Sequence, residues 1–381
     1  ALSQVSYLSC FRVLCWNVDR GEATIMCFPN GGVEIVDFGT NFFHPLNARR
    51  AVREATNVIG GYNFVDAVIT HLHYDHYSLI PHILGTKTLR MVYLPFIPEP
   101  KPIRDMVCKL MALQSVILLR SGKATLDEIA KKAQAACLIC RGNSITPAKG
   151  FNVKVLWPPP TLPSPIAERV QEKLEAVYQK AEKLMEMTNV KDEVERKAEK
   201  IKNIVENCAR KLEENERKPI EIESLPIFPT LTAESLRQRQ SPEAMMMQLE
   251  REVLAHFRDA INDLSLVLKY YHYDNAVALI PGDNSQQVLD YLSRLEKCRF
   301  IHHRQLVFLR GAHHGTYYGR YLGKHKAIVT WMSWTRNMNA QPHLGYLHTS
   351  KLIVLAEDTE HLHIAKCSLY PYWQHYRIHT C

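Results

Sequence analysis

The chain has 381 residues, 46% of them hydrophobic, and a formal net charge of +8 at pH 7. That apolar content fills one large core or two ordinary ones and excludes an intrinsically disordered chain. The lack of any run of about eighteen apolar residues excludes a membrane-spanning helix. The moderately basic balance suits an anionic substrate such as nucleic acid or a phosphoester. The opening segment reads as a poor signal peptide, and the ten scattered cysteines read as reduced thiols, so a cytoplasmic location is expected.

Strand-like runs bounded by Gly, Asn and Pro come first: FRVLCWNV (11–18), ATIMCFP (23–29) and GVEIVDFG (32–39). A helix is expected over 47–59, then VDAVIT (65–70) as a strand buried on both faces. TLRMVYLPF (88–96) and VKVLWPPP (153–160) predict further strands, with helix over 101–140 between them. Cys137 and Cys140 have zinc-ribbon spacing but no second pair, which makes them packing residues. Residues 165–217 change composition. Val170, Leu174, Val177, Ala181 and Leu184, then Val194, Ala198, Ile201, Val205, Cys208 and Leu212, recur at helical spacing on either side of TNVKD. They predict an antiparallel helical hairpin, with a dimerisation arm or partner platform as its sharper reading. A Pro-containing linker (219–232) and a helix near 233–260 follow, Met245, Met246 and Met247 filling its packing face. Strand signals return at 264–272, 276–283, 305–315, 326–333, 351–357 and 361–367.

The stretch THLHYDHYSLIPH (70–82) carries the chemistry. A loop leaving a buried strand lets His71, His73, Asp75 and His76 converge on one point, and imidazole with carboxylate suits zinc, manganese or iron. Two close clusters, His71 with His73 and Asp75 with His76, favour two divalent ions over one. AVALIPGD ends a strand at Asp283, and QLVFLRGAHHG ends another at His313 and His314, so three strand ends supply candidate ligands.

In this order the elements resemble the metallo-β-lactamase superfamily. More closely, they are similar to the hydrolase domain of ComEC-type DNA-uptake proteins and their soluble relatives. The resemblance runs through CWNVDRGEATIMCFPNGGVEIVDFG, the histidine stretch, VLWPP, NDLSLVLKY, LIPGD, FLRGAHHGT and WMSWTRNMNAQPH, over roughly residues 11–160 and 260–350. It implies an α/β (α+β) chain folded as an αββα metallo-β-lactamase sandwich with a helical-hairpin insertion. Residues 1–160 and 261–381 would be its two halves, with 161–260 inserted. Carried over by position, His71, His73, Asp75, His76, Asp283 and one of the pair His313 and His314 become ligands of two divalent ions, zinc or manganese. We take His313 as the ligand and His314 as the catalytic partner that meets the oxyanion or donates a proton. Asp75 holds the attacking water and takes its proton. Asp37 matches the family's early aspartate, which supports the metal loop.

The chain departs from the closer relatives. His73 stands where they have aspartate, and Arg20 and Glu22 where they have Gln and Asp. No separate histidine serves the middle motif, a place left to Asn262 or water. His343 follows a proline in the closing loop and joins Thr316 and Arg310 as substrate contacts, with Arg304 and Arg320 as further phosphate contacts. The hydroxyls of Tyr317 and Tyr318 are weighed between substrate binding and packing, Trp331 and Trp334 between stacking on a base and packing, and His302, His303, His361 and His363 read as surface residues.

The expectation is a cytoplasmic metal-dependent hydrolase, a phosphodiesterase or nuclease acting on nucleic acid. Its alternatives are hydrolysis of a small ester, thioester or lactone, or a partner-activated effector in which the hairpin docks a protein or a second copy. A metal-binding scaffold protein is the reading outside that class, and a histidine–carboxylate ligand set argues against it, since structural zinc sites are closed and cysteine-rich.

Overall fold

The computed structural model describes residues 10–29, 31–41, 45–120, 126–214, 220–222, 244–295, 305–335, 340–356, 359, 361–367 and 376–380. Within them the chain is mixed α/β, with two mixed sheets. In chain order the strands are β1 Cys10–Trp16, β2 Ala23–Cys27, β3 Gly32–Phe38, β4 Phe64–Val68, β5 Leu89–Pro95, β6 Ala133–Ile139, β7 Ser144–Ile145 and β8 Phe151–Trp157. There follow β9 Ile220–Ile222, β10 Val267–His272, β11 Asn275–Ile280, β12 Leu306–Arg310, β13 Ala327–Met332, β14 Ser350–Leu355, β15 His361–Cys367 and β16 Tyr376–Thr380. The first sheet has the order β16-β15-β1-β2-β3-β4-β5-β6-β9 and the second β14-β13-β12-β11-β10-β8-β7. Strands β3 to β6 run parallel to one another, as do β11 to β14.

The two sheets face each other. Phe11, Val13, Met26, Val36 and Val68 of the first share one buried cluster with Val153, Leu268, Tyr270, Ile280, Phe308 and Trp331 of the second. Each such aliphatic contributes about 1.5–3 kcal/mol by leaving water. Helices cover the outer faces: Ala51, Ala55 and Ile59 of helix Pro45–Gly60 cluster with Ile25 and Ile35, and Leu289 and Leu292 of helix Gln286–Leu295 with Leu279 and Leu309. Both sheets draw on distant parts of the chain, since β8 joins the second sheet while β9, β15 and β16 join the first.

Helices Ser164–Met187 and Lys191–Glu214 form a hairpin. The turn is closed by Thr188, whose hydroxyl donates to the Leu184 carbonyl at 2.7 Å, and by Asn189 in the left-handed region (φ 50°). The apolar seam faces inward: Val170, Leu174, Ala181, Leu184, Val194 and Val205 are all buried, in the cluster that also holds Val107 and Leu113 of helix Lys101–Arg120 and Phe257 of helix Ala244–Ile261. The insertion is thus a helical layer packed on the molecule.

Two local expectations change, at 101–140 and at 220–222. Helix over 101–140 ends at Arg120; a shorter helix covers Leu126–Lys131, and AQAACLI is strand β6. That run is too short to nucleate a helix alone and sits between β5 and β9, where ladder pairing overrides its alanine content. Ile220–Ile222, expected as linker, is β9, and helix Ala244–Ile261 covers only the later part of 233–260, residues 223–243 lying outside the described ones. Cys137 and Cys140 are buried free thiols, and burial pushes Cys140 up to about 12, away from the thiolate a metal would need.

Candidate metal centre

Parallel strands direct their carboxyl ends to one edge, where following loops can converge. Here β3 delivers Asp37, β4 leads to Thr70 and the His71–His76 loop, β11 to Asp283, β12 to Arg310, His313 and His314, and β13 to Ser333. Side chains from both sheets therefore meet at one end of the sandwiched core.

A lower layer fixes the geometry. Asp37 accepts from the Thr70 backbone N–H and hydroxyl, each at 2.7 Å, and pairs with Arg310 at 2.7 Å and His76 Nδ1 at 3.0 Å. Burial works against its charge, yet His76 and Arg310 hold its carboxyl well below the usual carboxylate range. Arg310 also donates to the Val36 carbonyl at 3.3 Å, so this guanidinium from the second sheet straps the end of β3 in the first. Glu22 accepts from Ser333, whose oxygen lies 2.8 Å from His314 Nδ1. Asp37 (φ 60°), His313 (φ 46°) and His314 (φ 59°) all occupy the left-handed region, strain that this network holds in place. Gly39 is required: a Cβ there would lie 2.7 Å from the Asp75 carbonyl carbon and the Tyr77 nitrogen. Gly282 (φ +59°) likewise admits Ser265, whose Cβ would be 2.7 Å away.

Above this layer imidazoles and a carboxylate crowd together with few partners outside the group. His71 Nε2 and His73 Nδ1 face each other at 2.7 Å, and Asp283 Oδ2 lies 3.6 Å from His71 Nε2 and 3.7 Å from His76 Nε2. Ligand atoms of His71, His73 and Asp283 lie within 4.8 Å of one another, a group able to hold a metal ion. His73 Nε2, His76 Nε2 and Asp75 Oδ1 are buried without a hydrogen-bond partner among the described residues. Two imidazole nitrogens at 2.7 Å must share a proton or a cation, and orphaned buried donors are costly unless something binds them. The residues fit a divalent metal. Burial, then neighbouring rings, pushes the protonation of His71 and His73 well below the ordinary range, leaving neutral imidazoles. At His76 burial opposes protonation, but Asp37 and Asp283 favour positive charge there. Against burial, the His71 and His76 rings hold Asp283 well below the usual carboxylate range. His76 Nδ1–H on Asp37 frees Nε2, the carboxylate–histidine pairing that orients metal-binding imidazoles.

Compared with known proteins, the chain matches no protein-family model and no curated protein. The site rests on its own geometry.

The HHG loop closes one side. Thr316 Oγ1 donates to the His313 carbonyl at 2.7 Å and faces His313 Nδ1 at 2.8 Å, so Nδ1–H donates to that oxygen and Nε2 keeps its lone pair. Burial pushes His313 protonation down; at His314 burial is outweighed by Glu22 and Asp283, and protonation rises. The His313 backbone N–H donates to the Gly282 carbonyl at 3.2 Å, tying this loop to the Asp283 turn. Tyr317 stacks on His313 with ring centroids 4.4 Å apart, and Tyr318 on His343 at 5.2 Å. His343 is exposed, its backbone N–H donating to the Gly315 carbonyl at 2.9 Å, which places it beside the loop.

The sequence reading therefore needs adjustment in places. Arg310, expected at the substrate, is 1% exposed and engaged by Asp37 beneath the cluster. Thr316 holds His313 in orientation. Arg320 is exposed, its backbone N–H on Asp290, Trp331 and Trp334 are buried, and His302, His303 and Arg304 lie outside the described residues. Thr70, Ser333 and Gly39 went unread; a hydroxyl just before the first histidine was the one available signal for Thr70. Asn262 is buried with Oδ1 unpartnered, and three residues on Ser265 packs against Gly282.

Proposed function

We propose that this chain is a metal-dependent hydrolase of the metallo-β-lactamase type, acting on phosphodiesters, with nucleic acid as its substrate class. The observation that carries the reading is the convergence of buried, unpartnered His73, His76 and Asp75 atoms with His71 and Asp283 at one edge of two facing sheets. The order of its motifs, the basic net charge of +8 and the paired parallel sheet ends support it. His71, His73, Asp75, His76, Asp283 and His313 would hold two divalent ions, zinc or manganese. Bound there, such ions lower the pKa of water and withdraw charge from a phosphoryl oxygen.

The chain's own residues supply the rest. Asp75 Oδ1, with no partner of its own, accepts the proton of the attacking water. His314, whose Nδ1 faces Ser333 and Glu22, presents Nε2 to donate a proton to the departing oxygen. Asp37, through Thr70, His76 and Arg310, keeps the ligands in place as charge builds. The buried ligand set makes a purely scaffolding metal site the weaker reading, and small esters, thioesters or lactones the second substrate class. No helix among the described residues is long and apolar enough to cross a membrane.

The test is metal content by elemental analysis beside hydrolysis of single- and double-stranded DNA and RNA, with Asp75→Asn as control. About two metals per chain and Asp75-dependent cleavage are expected. Metal without phosphodiester cleavage moves the proposal to small esters, and a chain that takes up no metal overturns it.

A further inference from the structure

The HHG loop runs on into two consecutive tyrosines that the fold treats differently. Tyr318 is packed. Its ring stacks on His343 at 5.2 Å and meets Tyr346 edge-on at 5.0 Å, and a Cβ on Gly345 would lie 2.6 Å from it. Tyr317 is 36% exposed. Among the described residues its hydroxyl makes no hydrogen bond, and its ring meets one other ring, that of His313. Trp331, Trp334 and Tyr346 are buried, which leaves Tyr317 as the exposed aromatic side chain beside the metal centre among the described residues.

Exposure alone says little, since single apolar side chains are common on surfaces. Here the backbone beneath the ring is fixed. The buried Tyr346 hydroxyl accepts from the Ala312 N–H at 2.8 Å and donates to the Tyr317 carbonyl at 2.7 Å, while the Tyr317 N–H donates to the Ala312 carbonyl at 3.2 Å. The plane of the ring follows that of His313: the two centroids are 4.4 Å apart and the rings 14° from parallel. His313 is itself oriented, with Nδ1 2.8 Å from Thr316 Oγ1 and its N–H on the Gly282 carbonyl at 3.2 Å. The Tyr317 ring thus lies one ring's thickness from a candidate metal ligand, ordered before any substrate arrives. A preorganised ring with apolar surface still in water is what stacking recognition requires. A planar group laid on its outer face extends the His313–Tyr317 stack, and a phosphoryl group joined to it through a sugar reaches back to the metal centre.

We propose that Tyr317 stacks on a nucleobase of the substrate next to the scissile phosphoryl group. The proposal deepens the hydrolase reading and rests on it for the phosphoester class. Because every base has a π face, such a ring selects nucleotides over simple phosphoesters without choosing one base over another. A ring that only buttresses His313 would instead affect all phosphoesters alike, and the experiment separates the two.

The full chain, loaded with zinc and freed of excess metal, is titrated calorimetrically with adenosine monophosphate and with ribose phosphate. The two carry the same phosphate with and without a base, and neither has a diester to cleave. Wild type is compared with Tyr317→Leu, Tyr317→Phe and Tyr317→Trp. The wild type is expected to bind adenosine monophosphate about fivefold or more tighter than ribose phosphate. Tyr317→Phe and Tyr317→Trp should keep that preference, since the ring and not the hydroxyl supplies it. Tyr317→Leu should abolish it and bind ribose phosphate as the wild type does. A wild type without the preference overturns the proposal, as does a preference that survives Tyr317→Leu. An equal loss on both compounds also overturns it and makes the ring a support for His313. In each of these cases ribose phosphate still binds the wild type, and the phosphoester reading stands. If the wild type binds neither compound, the phosphoester reading fails and the stacking proposal falls with it.

Discussion

Two layers of the candidate site use the same residue types to opposite ends. In the lower layer Asp37 has Thr70, His76 and Arg310 as partners, and every charge is answered. In the upper layer His73, His76 and Asp75 each keep a buried atom with no hydrogen-bond partner among the described residues. A saturated network holds shape, because removing one member strands the others; an unsaturated one lowers its energy by binding something. His76 belongs to both, with Nδ1 on Asp37 below and Nε2 3.7 Å from Asp283 above.

The strongest test of the difference is Asp37→Ala. It strands the buried Arg310 cation and should cost about 3–5 kcal/mol of folding free energy, read by urea denaturation of the metal-free chain. A loss under about 1 kcal/mol would mean that Glu22, 3.9 Å from Arg310, already balances the charge. The matching change above is Asp75→Asn, which alters an atom with no protein partner. Phosphodiester cleavage should fall about a thousandfold, equivalent to ~4 kcal/mol of activation free energy, while the urea midpoint of the metal-free protein stays nearly constant. Loss of stability without loss of rate would reverse the roles of the layers.

The two layers also differed in how far the sequence revealed them. The upper layer was legible because its candidate ligands crowd one loop and two strand ends, in HLHYDH, PGD and GAHHG. The lower layer was legible only at Asp37. Thr70 and Ser333 are ordinary residues made important by contacts across the fold, and Arg310 beside a histidine pair invited a substrate role that its burial removes. The strands themselves were legible in the apolar runs, whereas their arrangement as two facing sheets was an expectation of the family resemblance alone. β6 and β9 were not legible, since a short alanine-rich run and a three-residue strand acquire their form from pairing with neighbours.

Metal binding sharpens the comparison further. An ion that binds only the folded chain should stabilise it by ~2.7 kcal/mol at a free concentration a hundred times Kd. Zinc should therefore shift the urea midpoint of the wild type. Asp283→Asn, which weakens a ligand shared by His71 and His76, should erase most of that shift while leaving the metal-free midpoint similar. A zinc shift that survives Asp283→Asn would place the ion elsewhere.

The effect that is smallest at any one step of pH concerns a carboxylate that neither layer serves. Glu34 lies three residues before Asp37 on β3, fully buried, with the Tyr270 hydroxyl donating to Oε1 and no partner for Oε2 among the described residues. Burial raises its pKa to about 8, against the partial relief of Tyr270, whereas Asp37 with its cationic neighbours is lowered. One strand thus carries two buried carboxylates held in opposite states: His76 and Arg310 contact Asp37, whereas burial and the Asp66 charge outweigh Tyr270 and Arg90 at Glu34. Because the folded pKa of Glu34 lies above its unfolded value, its protonated form favours the native state fully below about pH 4.5, and that contribution is lost as pH rises toward 8. Across this window it should remove about 1.4 kcal/mol of stability per pH unit. Glu34→Gln keeps the acceptor for Tyr270 and cannot ionise, so the difference between variant and wild type should widen steadily from pH 5 to pH 8 in denaturation series on the metal-free chain. Parallel curves would show that Glu34 is ionised in the fold and that a cation, not burial, governs that end of β3.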